Sequence, residues 1–330
     1  MKKLFILLLI FSMSCVSNEH KTIGSIERID PALDEIINEK ATIEIIGEGY
    51  TWSEGPVWIE KENMLLFSDV PENIVYKWTE AKGVEPYLTP SGFSGDSTRS
   101  RERGSNGLVL HNDSLILCQH GNRQVAKMNT SLKNPKPEFR TLASGYNGMR
   151  FNSPNDAAYR TNGDLFFTDP PYGLADLDKD VEKESPINGV YRVTPQGIVS
   201  LMVDSLTKPN GIAFMPGGNR FLVANSDPAK SIWYEFELND AGDSIKSAAI
   251  FFDATPNTAT EKGSPDGFKI DSKGNVFATG PGGIWIFNKK GKVLGKIKLP
   301  EASANCAFSP DEKILYITAD MYLLRIKLRN

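Results

Sequence analysis

Ser153-Pro154-Asn155-Asp156 is a short polar turn that presents an amide, and Gly163-Asp164-Leu165-Phe166-Phe167-Thr168-Asp169-Pro170-Pro171-Tyr172-Gly173 is the strand that follows it. Between them, Asn162-Gly163 marks a turn, and the apolar run then ends in an acidic residue. This unit recurs. Comparable turns are Ser53-Glu54-Gly55-Pro56-Val57, Ser105-Asn106-Gly107-Leu108-Val109, Lys208-Pro209-Asn210-Gly211-Ile212, Ser264-Pro265-Asp266-Gly267-Phe268 and Ala304-Asn305-Cys306-Ala307-Phe308. Their centres, Glu54, Asn106, Asn155, Asn210, Asp266 and Asn305, are separated by 52, 49, 55, 56 and 39 residues.

A second β-type run follows each centre, at residues 64–69, 114–118, 164–169, 220–224, 275–279 and 314–320. Further apolar runs close several units, and no sustained helical period occurs in the body of the chain. A repeat of about fifty residues with about four strands is the blade of a β-propeller. Six units therefore predict an all-β, six-bladed β-propeller. The last unit is short, and residues 42–46 alternate like a strand. They are expected to supply the missing outer strand of the sixth blade, closing the ring and covering an edge. Each innermost strand of a propeller begins near the central channel, so the six polar turns are expected to converge on one axial site.

That axial set holds two carboxylates, Glu54 and Asp266, and four amides, Asn106, Asn155, Asn210 and Asn305. The chain has only three histidines. Oxygen donors suit a hard cation, which favours Ca²⁺; Mg²⁺ and Zn²⁺ are the other divalent cations considered. A single Asn or Asp before a strand is most simply a turn residue. Six in phase, opened by a glutamate, point to a shared site.

The remaining composition bounds the partners. A net charge of −4 and the lack of a basic stripe argue against nucleic acid. Arg99, Arg101, Arg103 and Arg123 are diluted by Asp96 and Glu102 and read as a solvated loop. Lys2-Lys3, the apolar residues 4–11 and Ser12-Met13-Ser14-Cys15 resemble a bacterial lipoprotein signal, with Cys15 acylated. Ser12 stands where that signal usually has Leu, which leaves an ordinary cleaved signal peptide as the alternative. The expected organisation is a signal segment at 1–15, a tether at 16–40 containing a short helix over 31–38, and the propeller at 41–330. The chain is expected to be exported and periplasmic, a monomer, touching a membrane only through its N-terminal lipid. Cys118 and Cys306 lie in apolar β runs and are expected to be buried free thiols.

The motifs Glu54-Gly55-Pro56-Val57-Trp58, Asn152-Ser153-Pro154-Asn155-Asp156, Pro209-Asn210-Gly211 and Pro265-Asp266-Gly267 resemble the SMP-30/gluconolactonase/LRE family of calcium-dependent six-bladed propellers. His120-Gly121-Asn122-Arg123 and Phe167-Thr168-Asp169-Pro170-Pro171-Tyr172-Gly173 are similar to its bacterial gluconolactonase branch. The resemblance covers roughly residues 42–328. It implies that Glu54, Asn155, Asn210 and Asp266 surround the metal, that Asp266 also serves as general base, and that Asn106 and His120 lie on the substrate side. Ser153 stands two residues before Asn155, where the animal branch has Arg, so that branch's substrate contacts are not carried over.

The expected reaction is hydrolysis of a sugar lactone. The metal would polarise the carbonyl, and Asp266 would act on water or serve as the nucleophile. His120 would protonate the ring oxygen or hold a hydroxyl. Tyr172 and residues 173–188 would form a lid or a solvated loop, and Tyr172 and Asn305 join Asn106 as substrate-binding candidates. The alternatives are another metal-dependent ester or phosphotriester hydrolysis on the same site, or a surface propeller that binds a carbohydrate or partner without turnover.

Overall fold

The computed structural model describes residues 20–95 and 102–329. The expected signal segment, Cys15, Arg99 and Arg101 lie outside the described residues. Six antiparallel sheets follow one another along the chain and form a six-bladed β-propeller. The innermost strands are Ser53–Ile59, Ser105–His111, Ala157–Tyr159, Pro209–Phe214, Phe268–Ile270 and Asn305–Phe308. Each pairs with the next strand in sequence, and the blade is built outward from there.

The ring closes as the short last repeat requires. Ile43–Glu48 pairs antiparallel with Tyr322–Lys327, placing Ile43 opposite Ile326 and Glu48 opposite Tyr322. The N-terminal strand thus completes the sixth blade. Residues ahead of it depart from the expected tether. Ser25–Arg28 pairs with Val293–Lys298 and gives the fifth blade a fifth strand. The helical turn is a 3-10 helix, Pro31–Glu35, capped by Asp30, which accepts from Ala32 N–H at 2.9 Å. Leu33 and Ile37 are fully buried against the fifth and sixth blades. Ile23, Ile26, Leu33, Ile36 and Ile37 are apolar enough to pack, and this signal was masked by the charged residues between them.

Six hydrophobic clusters fill the six interfaces between neighbouring blades. This explains why the second strands carry runs of consecutive apolar residues, such as Met64-Leu65-Leu66-Phe67 and Leu165-Phe166-Phe167. Both faces of such a strand are covered, so period-2 alternation sends successive side chains to different neighbours. Leu65 and Phe67 pack towards the sixth blade, and Leu66 towards the second. Likewise Phe166 faces the fourth blade, while Leu165 and Phe167 face the second. Cys118 and Cys306 are free and buried in two of these interfaces.

The polar turns reach the axis because the inner strands are bulged there. Register slips between Glu54 and Val57, Ser105 and Leu108, and Pro209 and Ile212. An extra residue in one strand re-aims the side chain beside it. Gly55 occupies such a bulge at φ +52°, and a Cβ there would lie 2.1 Å from Asn106 O, so neither conformation nor space admits a side chain. Hydrogen bonds then tie neighbouring blades at the axis: Gly107 N–H to Asn155 O at 2.7 Å, Thr168 Oγ1 to Asn210 O at 2.7 Å, and Gly267 N–H to Ala304 O at 2.7 Å.

Candidate active site at the propeller axis

Asp169, the acidic end of the opening stretch, sets the turn that carries Asn155. Its two carboxylate oxygens accept from Asn152 N–H and Ser153 N–H, both at 2.8 Å. Asp69 does the same in the first blade for Thr51 and Trp52, at 3.0 and 3.1 Å. Asn225 does so for Lys208 N–H at 2.8 Å in the fourth. In these three blades the end of the second strand therefore clamps the backbone leading into the polar turn. Burial pushes the Asp169 carboxyl up to about 7 against these two N–H donors and the nearby Lys183 and Arg123.

A cavity of about 340 Å³ opens at this end of the channel. Glu54, Asn106, Asn155, Asn210 and Asp266 all line it, joined by Tyr172. Five turns from five different blades thus meet at one point, as the repeat predicts. Four of their oxygens, Asn106 Oδ1, Asn155 Oδ1, Asn210 Oδ1 and Asp266 Oδ1, are buried and have no hydrogen-bond partner among the described residues. Leaving such groups unpaired costs about 1–3 kcal/mol each. A cation taking them as ligands removes that cost, so the residues present fit a divalent metal. The donors are oxygens throughout, two carboxylates and three amides, which is the chemistry of a hard cation. Among the described residues no group of three or more His, Cys, Asp or Glu side chains is placed to hold a metal, so the amides are essential to this fit.

The electrostatics agree. Burial pushes the Glu54 carboxyl up to about 8, with Asp156 and Glu102 adding repulsion while Gly55 N–H and Asn305 oppose the rise. Asp266 is raised well above the usual carboxylate range, first by burial and then by the charges of Glu54, Glu102 and Asp156. Acidic groups held this close without a counter-charge resist ionisation, and a bound cation reverses that balance. Tyr172 is likewise raised, by burial and then by Asp266.

Two expected substrate-side residues sit elsewhere. Asn305 is buried behind Glu54, with its Oδ1 accepting from Lys269 Nζ at 3.0 Å and Cys306 N–H at 2.9 Å. Its amide instead hydrogen-bonds Glu54. His120 is fully buried, does not line the cavity, and meets Asn155 through Nε2, 3.5 Å from Asn155 Nδ2. Residues 173–188 are anchored at a few points and otherwise exposed: Leu174, Asp180 and Ser185 are buried, Lys183 Nζ donates to Ser185 O at 2.7 Å and to Asn188 Oδ1 at 3.0 Å, and Asp176, Asp178, Lys179 and Val181 face solvent. Arg123, expected in a solvated loop, is also buried and donates to Phe151 O at 2.6 Å and Glu182 O at 2.9 Å.

Glu102, Lys208, Ser226 and Trp52 also line the cavity and were not singled out as site residues from the sequence. Glu102 and Lys208 precede the inner strands as ordinary charged loop residues. Ser226 lies within the strand Arg220–Asp227, one step past Asn225, the residue that stands where Asp69 and Asp169 do. A larger cavity, about 540 Å³, lies further along the same inner strands. Its walls are Val57, Leu108, Ala157, Ile212 and similar apolar side chains, with no convergent carboxylates, so the chemistry belongs to the smaller one.

The family model for the SMP-30/gluconolactonase/LRE-like region matches residues 52–320. The chain belongs to this family. It is 38% identical over 316 residues to a gluconolactonase of Zymomonas mobilis, covering 94% of this chain and 87% of that one. A solved gluconolactonase from Xanthomonas campestris superposes with a TM-score of 0.79 at 26% identity, covering 95% of this chain and 99% of the other. A calcium-binding regucalcin of Agrobacterium tumefaciens shares the fold, with a TM-score of 0.65 at 15% identity over 87% of this chain and 94% of its own.

Proposed function

We propose that this protein hydrolyses a sugar lactone to the aldonic acid at the axial site, with calcium as the divalent cation. The single observation that carries the reading is the set of four buried, unpartnered oxygens from four blades facing one cavity beside Glu54. Family membership and the gluconolactonases among its relatives support the choice of reaction.

Glu54, Asn155, Asn210 and Asp266 would hold the cation. When bound, it supplies positive charge where negative charge builds on the lactone carbonyl oxygen during attack. The Asp266 carboxylate, through the oxygen that the cation would leave free, takes the proton of the attacking water as the water oxygen bonds to the carbonyl carbon. The ring C–O bond then breaks, and the same proton passes to the departing ring oxygen, leaving the open-chain acid. Asn106 and Tyr172 line the cavity and are placed to hold the polyol hydroxyls. His120, closed off behind Asn155, takes no part in proton transfer.

The test is Asp266→Asn, which keeps the shape and removes the base. General-base loss costs about 10²–10⁴-fold in turnover. Unchanged acid release from D-glucono-1,5-lactone would contradict the assignment. We also infer export with a lipid on Cys15, resting on Lys2-Lys3 and the apolar residues 4–11. The mass of the mature N-terminus tests it: a diacylglyceryl adduct on Cys15 supports it, and an unmodified Met1 overturns it.

A further inference from the structure

Three of the cavity-facing donors are aimed by a neighbour that occupies part of the same side chain. Asn210 donates Nδ2–H to Ser226 Oγ at 2.9 Å, and Ser226 Oγ in turn donates to Pro265 O. Its Oδ1 is left for the cavity. Glu54 accepts from Gly55 N–H at 2.8 Å and from Asn305, whose own oxygen is taken by Lys269. Asn155 is aimed by His120, and here the row extends one residue further.

An amide nitrogen can only donate, so His120 Nε2 facing Asn155 Nδ2 must be the acceptor. The proton of the neutral ring then sits on Nδ1, which lies 3.3 Å from Glu102 Oε2. In this tautomer Nδ1–H stands beside the Glu102 carboxylate, 3.3 Å away but outside hydrogen-bond geometry, Nε2 accepts from Asn155 Nδ2–H, and Asn155 Oδ1 remains buried and unpartnered among the described residues at the cavity. With the proton on Nε2 instead, the ring would face the amide donor with a donor, or draw Oδ1 away if the amide turned over. The imidazole is closely packed: it is fully buried, and a Cβ on Gly173 would lie 2.9 Å from His120 Cβ. Glu102 and Asn155, the two ends of this row, both line the cavity, and His120 lies behind them.

We propose that Glu102 is a positioning residue that fixes the His120 tautomer and, through it, aims Asn155 Oδ1 at the cation. The inference rests on the metal-dependent reading above. Partners behind a ligand commonly contribute about 10–100-fold in metal affinity.

Calcium titration of the metal-stripped full chain, by competition with a chromophoric chelator at pH 8, tests it together with the melting temperature of the cation-free protein. Glu102→Ala should weaken calcium binding about 10–100-fold and leave the cation-free melting temperature unchanged. Glu102→Gln should restore most of the affinity, because the amide still turns an oxygen towards Nδ1–H. On a His120→Phe background, which keeps the ring volume, Glu102→Ala should cost nothing further. If His120→Phe does not fold, the Glu102→Ala and Glu102→Gln pair decides alone. Wild-type affinity in Glu102→Ala overturns the inference. So does a Glu102→Gln loss equal to that of Glu102→Ala, or an additive loss in the double variant, because Glu102 then acts on the cation by charge. Wild-type protein that binds no divalent cation overturns the metal reading and this inference with it.

Discussion

Calcium and protons should compete for the axial site, and Glu54 gives the scale. In the cation-free fold, burial holds its carboxyl protonated up to about 8. Binding a hard cation needs the ionised form. The raised pKa therefore means that the cation-free state keeps a proton that the loaded state gives up, and calcium affinity must fall as pH drops through about 8. At pH 6 the group is about two decades below its midpoint, so Glu54 alone weakens binding on the order of 100-fold relative to pH 9, or about 3 kcal/mol. Asp266, raised for the same reasons, acts in the same direction. Isothermal titration in two buffers of different ionisation enthalpy reads both quantities, the affinity at each pH and the protons released per cation. The expected result is between about one and two protons released below pH 7, with a shallower slope in Glu54→Gln. Calcium affinity constant to within about threefold from pH 6 to 9, with no proton release, would refute the reasoning.

Two further outcomes test how the turns and the ring are held. Asp169→Ala strips the acceptors from Asn152 N–H and Ser153 N–H, and two buried orphan donors cost about 2–6 kcal/mol together; thermal unfolding reads it, and Asp169→Asn, which keeps one acceptor, should lose about half as much. A chain beginning at Gly49 lacks the strand Ile43–Glu48, exposes the Tyr322–Lys327 edge and loses buried Ile43 and Ile46, worth at least about 4 kcal/mol; size-exclusion chromatography and melting should show aggregation and a lowered transition, and a monomer of unchanged stability would contradict the ring closure.

The propeller was legible because its signal is repeated. One polar turn before one apolar strand is ambiguous, but six in phase, with a short last unit and a spare strand at residues 42–46, leave little freedom in topology. The axial donors were legible for the same reason: the turn that begins each inner strand must reach the axis. What escaped was everything set by packing between blades. His120 and Asn305 belong to the right neighbourhood, yet their distance from the cavity depends on which side chain stands in front of them, Asn155 in one case and Glu54 in the other. Glu102 and Lys208 enter the cavity from loops whose paths no periodicity encodes. Ser25–Arg28 pairs with a strand some 270 positions away, and a four-residue strand with a single apolar side chain, Ile26, carries little local signal.

The central claim is a cation-dependent lactonase at the axis, and one preparation tests it most directly. The protein is stripped of metal with a chelator, reloaded with calcium, and followed by acid release from D-glucono-1,5-lactone, with bound metal quantified on the same sample. Close to one divalent cation per chain is expected, with hydrolysis above the spontaneous rate, loss of that activity on stripping and its return on reloading. Hydrolysis that survives complete removal of the cation would contradict it, as would a loaded site that turns over no lactone.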